Sequence, residues 1–156
     1  MRFYRIVRAR FDQPATACHG ESATKVAHRW NQAAPDLRAV YASDSLALAC
    51  LECLVHIRPL PRIFPGSLYY IVDVPDRLLE QPTLAALPVG WNSAVPGLAS
   101  RDFGTDFLRR QRAVGLVVPT AIQPLGLNVV LNPLHPHFQL AWVRGPFPYP
   151  FDDRLA

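Results

Sequence analysis

The chain is 156 residues long, half of them apolar, with a formal charge of +4 in which Lys25 is the only lysine. That length suits one domain, residues 1–156, with a single core, and the apolar content excludes a disordered chain. No run of eighteen apolar residues suggests a membrane span, and the charged start Met1-Arg2-Phe3-Tyr4-Arg5 has no secretory h-region, so a cytoplasmic protein is expected.

The basic excess does not read as a nucleic-acid face. The arginines are scattered, as genomic base composition would leave them. The exception, Arg109-Arg110-Gln111-Arg112, closes a predicted helix, where positive charge suits the dipole. The cysteines are Cys18, Cys50 and Cys53, an odd count that argues against a disulfide framework. Cys50 and Cys53 spell C-x-x-C inside an apolar helix, which favours packing over metal or redox use.

In chain order, Arg2–Arg8 reads as a strand from its aromatic and β-branched residues. Arg5 and Val7 share one of its faces, so Arg5 points either into a cleft or out from an edge. Residues 9–36 hold no period and end in His28-Arg29-Trp30-Asn31, where an arginine beside a ring suits an anion and a base. Leu37–Ser43 reads as a short strand with Tyr41 near its end, either lining a site or simply half-buried.

A helix then runs from a cap at Ser43 or Asp44 through Leu46-Ala47-Leu48-Ala49-Cys50-Leu51-Glu52-Cys53-Leu54-Val55-His56 to a stop at Pro59 and Pro61. It is apolar almost all round, so burial is expected. Glu52 in its middle is the anomaly, because a buried carboxylate needs a partner, a wet cleft or a reaction to compensate it. His56, four residues on, can reach it along the same face.

Ser67–Val74 is the clearest strand, followed by a proline-rich connection. Gly97–Arg112 reads as a helix weakened at Gly104 by about 1 kcal/mol relative to alanine. Gly115–Pro119, Leu127–Asn132 and Phe138–Val143 read as strands, and the tail from Phe147 to Phe151 as an edge segment. About six strands and two main helices, not in strict alternation, make an α+β fold.

Familiar catalytic motifs are missing: there is no G-x-G-x-x-G, P-loop, H-E-x-x-H or G-x-S-x-G. His135-Pro136-His137 suggests no third ligand, and no metal is expected. A lone carboxylate suits stabilising a developing positive charge better than passing protons between two acids. Cleavage at a sugar anomeric carbon passes through such a cation.

The order of these pieces resembles the RES family, named for its arginine, glutamate and serine. The resemblance runs through Phe3-Tyr4-Arg5-Ile6-Val7, Arg29-Trp30-Asn31, Val40-Tyr41-Ala42-Ser43 and Leu51-Glu52-Cys53-Leu54-Val55-His56. It continues in Val118-Pro119-Thr120-Ala121, Asn128-Val129-Val130-Leu131-Asn132-Pro133-Leu134-His135-Pro136 and Phe151-Asp152-Asp153-Arg154-Leu155. It implies a fold like the ADP-ribosyltransferase toxins, and a bacterial toxin that consumes NAD and is held by a helix-turn-helix antitoxin. Water, phosphate or a protein would receive the ADP-ribose. It further implies that Arg29, assisted by Arg5, grips the NAD phosphates. Tyr41 would pack against the nicotinamide end, and Glu52 would bind the ribose hydroxyl and stabilise the cation. Thr120 stands where the family has its serine. His28 replaces a glycine before the arginine, and Ala33 and Ala34 replace another after it. These departures keep a second reading open, a catalytically weak fold that holds a protein partner. Proline-rich edges and aromatic residues also leave room for a homodimer.

Overall fold

The computed structural model describes residues 1–56, 66–123, 125–150 and 152. In chain order these form β1 (Arg2–Val7), α1 (Pro14–Ala17), β2 (Val40–Ser43), α2 (Leu46–His56), β3 (Leu68–Asp73), β4 (Leu79–Glu80), α3 (Leu98–Arg110), β5 (Gly115–Pro119), β6 (Leu127–Leu131) and β7 (Val143–Pro148). The strands join one sheet in the order β4-β5-β6-β2-β1-β3-β7. Only β4–β5 is parallel, so the sheet is mixed and the fold is α+β.

Side-chain alternation gives the sheet two buried faces. Val117, Val129 and Leu131 join Phe3, Val40, Ala42, Tyr70 and Val72 on one side. Leu116, Val118 and Val130 meet Trp30, Leu37, Phe107 and Leu108 on the other. β5 is covered on both faces, which is why it reads as an unbroken apolar run. α3 supplies Phe107 and Leu108. Its Gly104 is required by packing: a Cβ there would lie 2.0 Å from the Trp30 carbonyl oxygen, so α3 lies directly on the Trp30 backbone.

The sheet is split near its middle. β1 follows β3 through six successive pairs, Arg2↔Asp73 to Val7↔Leu68, yet meets β2 only at Tyr4↔Ser43. Arg5 spans the divergence. Its Nε donates to the Ala17 carbonyl at 2.9 Å and its Nη1 to the Tyr41 carbonyl at 2.7 Å. Of the two orientations open to Arg5 in the sequence, the inward one holds.

Several elements differ from expectation. α2 is buried only through Leu48, Ala49 and Cys50; Leu51 and Val55 are 41% and 54% exposed, so the helix leaves its later turns at the surface. Its cap is Ser45, whose Oγ accepts from Leu48 N at 3.2 Å. Ser43 and Asp44 are engaged instead across the sheet, where Asp44 Oδ2 accepts from Leu127 N at 2.9 Å. The expected stop at Pro59 and Pro61 lies outside the described residues. Phe138–Val143 is not a strand: Leu140–Trp142 is a 3₁₀ turn, and pairing with β3 begins at Val143. β7 carries Pro146 and Pro148 because it forms the sheet edge, where a missing N–H costs no ladder bond.

Candidate active site

The anomalous carboxylate of α2 is held from two strands. Thr120, just past β5, donates its hydroxyl to Glu52 Oε1 at 2.7 Å, and Asn128 of β6 donates Nδ2 to the same oxygen at 2.5 Å. Behind them, Ser43 Oγ donates to Asn128 Oδ1 at 2.7 Å, and Ile122 N donates to Thr120 Oγ1 at 3.1 Å. Charge-assisted bonds of this kind are about twice as strong as neutral ones. The methyl group that distinguishes Thr120 from serine points toward Gly126: a Cβ on Gly126 would lie 2.8 Å from it. Glycine at 126 therefore makes room for threonine while the hydroxyl stays on Glu52.

The segment before β2 supplies the rest. Arg29 Nη1 donates to the carbonyls of Trp91 and Ser93, at 2.6 and 2.8 Å. Partial burial pulls the pKa of its guanidinium down, while Glu52 and then Tyr41 act to raise it. Tyr41 donates its hydroxyl to Asn31 Oδ1 at 2.7 Å, and burial pushes its phenol up. Asn31 is fully buried, and its Nδ2 donates to the Val26 and Gln32 carbonyls. The His28 ring lies 5.5 Å from that of Tyr41. Burial first, then His56 and Arg5, pushes the His28 imidazole down. His28 also avoids the left-handed backbone region, so the histidine here needs no glycine-only geometry.

Thr120 and Asn128 meet at Glu52, Tyr41 is joined to Asn31 through its hydroxyl and to Arg5 through its carbonyl, and Arg29 is bonded to the Trp91 and Ser93 carbonyls. Burial pulls the Arg5 pKa down, and its Nε and Nη1 are engaged with backbone. Asn31, Ser43 and Asn128 are parts of the site that residue type did not single out. Asn128 is the second residue of an otherwise apolar strand, but only the register Ser43↔Asn128 brings it to Glu52. Two concavities stand apart from the cluster. One of about 490 Å³ is open and lined by Met1, Arg2, Asp73, Val74 and Pro75; a narrower one of about 170 Å³ is lined in part by Arg38, Arg109 and Asn132. The hydrogen-bonded carboxylate, and not volume, marks the candidate site.

A mixed α+β sheet that diverges between β1 and β2, and a carboxylate clamped by Thr120 and Asn128, are the features that mark the site. The chain belongs to the RES domain family, whose model matches residues 2–152. It is similar to a protein named Prs ADP-ribosylating toxin from Sphingobium sp. strain YBL2, at 36% identity over 138 residues, 86% of this chain and 83% of that one. It is similar also to a protein named Toxin Res from Yersinia enterocolitica, at 34% over 158 residues and 99% of each chain. A protein of the same name from Pseudomonas putida is 39% identical over 126 residues, 80% of this chain and 83% of that one.

Proposed function

We propose that this protein is an NAD-consuming toxin that breaks the bond between nicotinamide and ribose. The observation that carries the reading is the Glu52 carboxylate, fixed through Oε1 by Thr120 and Asn128. As nicotinamide departs, positive charge develops on the ribose. A carboxylate already oriented beside that ring stabilises it without reorganising. Both donors meet Oε1, so Oε2 is the oxygen that takes the neighbouring ribose hydroxyl. Arg29 is anchored through Nη1 and presents a pre-oriented fork to the diphosphate. Tyr41, held by Asn31 and flanked by His28, packs against the nicotinamide end. Arg5 acts by holding the split between β1 and β2 rather than by gripping phosphate.

The relative named Prs ADP-ribosylating toxin favours transfer of ADP-ribose to an acceptor, a protein in our reading, with hydrolysis or phosphorolysis as the outcomes when water or phosphate takes its place. The relatives named as toxins support pairing with an antitoxin, of helix-turn-helix type in our reading, in the cytoplasm. The test is nicotinamide release from NAD by the purified chain and by Glu52→Gln. The parent releases nicotinamide and the variant, which keeps the shape and loses the charge, does not. Equal release by the two removes Glu52 from the mechanism.

A further inference from the structure

We propose that Asn128, itself oriented by Ser43, is a positioning residue that locks Glu52 in its reactive rotamer. The inference rests on the reading of Glu52 given above.

The chemistry of the three groups sets their arrangement. A carboxylate only accepts, so the Asn128 amide must turn Nδ2 toward Glu52, where it lies 2.5 Å from Oε1. The carbonyl Oδ1 then faces β2, and the Ser43 hydroxyl donates to it at 2.7 Å. Ser43 is only 3% exposed, and Ser43 and Asn128 are cross-strand partners of β2 and β6. The amide therefore cannot rotate without losing two hydrogen bonds. Glu52 lies in the later, more exposed half of α2, where Leu51 and Val55 are 41% and 54% exposed. Thr120 gives Oε1 one donor from the end of β5, and Asn128 gives it a second from β6. Two donors from two strands on one oxygen fix both its position and the direction of Oε2. Misplacement of a reacting group by about 1 Å can cost about 100-fold in rate, so such fixing matters to turnover more than to binding.

The experiment compares nicotinamide release from NAD by the full chain and by Asn128→Ala, Asn128→Asp, Ser43→Ala and Glu52→Gln, across pH. Asn128→Ala is expected to lower kcat about 10- to 100-fold with KM within about threefold, the loss of one charge-assisted hydrogen bond. Asn128→Asp, nearly the same size, sets a carboxyl against Oε1. Two carboxylates so close share a proton only at lower pH, so its activity recovers as pH falls, unlike the parent's. The other charged groups of the cluster, Arg29, Arg5, His28 and His56, are the same in all four variants, so that change of profile belongs to the new pair. Ser43→Ala shows a smaller loss of kcat in the same direction. A readout free of turnover is the side-chain amide resonance of Asn128, which moves in Glu52→Ala. Parental kcat in Asn128→Ala, a parental pH profile in Asn128→Asp, or an unmoved amide resonance overturns the proposal. Glu52→Gln separates the levels. If it is inactive while Asn128→Ala is fully active, this inference alone fails; if it is as active as the parent, the reading beneath fails too. Should Asn128→Ala not fold, Asn128→Asp decides.

Discussion

Gly104→Ala sets two physical effects against each other with opposite signs. Helix propensity favours alanine in the interior of α3 by about 1 kcal/mol. The packing opposes it: a Cβ at this position would lie 2.0 Å from the Trp30 carbonyl oxygen, 2.6 Å from its carbonyl carbon and 2.8 Å from its Cβ. Ordinary carbon–carbon separation is about 3.5–4.0 Å, so relief requires a shift of more than 1 Å in backbone. Overpacking of this kind costs about 1–3 kcal/mol and occasionally more, and here the obstacle is backbone and not the end of a flexible side chain. The net expectation is a loss of about 2 kcal/mol. At about 2–4 °C per kcal/mol for a chain of this size, the melting temperature falls by about 4–8 °C. The displaced segment also carries Arg29 and Asn31, so nicotinamide release falls along with stability. Thermal denaturation followed by circular dichroism, with a urea titration alongside, measures the first effect. A melting temperature above the parent's would show that propensity outweighs the contact and would refute the packing argument.

Two further outcomes follow from the site. Thr120→Val keeps the shape but removes both the donor to Glu52 and the acceptor for Ile122 N; kcat falls at least about 10-fold and stability drops by about 1–3 kcal/mol. Thr120→Ser retains those bonds and loses only the methyl facing Gly126, so its kcat stays near the parent's; steady-state kinetics on the pair check this. His28 has its pKa lowered in the folded chain, so the unfolded chain takes up the proton more readily. Its contribution is present above about pH 6.5, the ordinary histidine value, and is lost as pH falls through the folded value. The urea midpoint of the parent therefore drops more between pH 7.5 and 5.5 than that of His28→Gln, and equal drops would exclude His28 as a source of the acid sensitivity.

What could be read from residues alone was what short-range physics controls. The strands β1, β3, β5 and β6 and the helices α2 and α3 follow from period and side-chain type, which act over a few neighbours. Glu52 stood out for the same reason, as one carboxylate in an apolar helix. The errors lie where neighbours are not enough. The cap of α2 falls at Ser45 because Ser43 and Asp44 are taken by the sheet. Gly104 looks like a flaw in α3 until the Trp30 carbonyl is placed against it.

The candidate site belongs almost wholly to tertiary structure. Thr120 and Asn128 lie 68 and 76 residues from Glu52 along the chain, and Ser43 lies 85 from Asn128. A shift of one residue in the pairing of β2 with β6 would turn Asn128 to the opposite face and leave the carboxylate without that donor. Residue identity determined that a carboxylate, a guanidinium, a phenol and a hydroxyl were present in the chain. Strand register, set by burying both faces of the sheet at once, decided that the carboxylate meets Thr120 and Asn128.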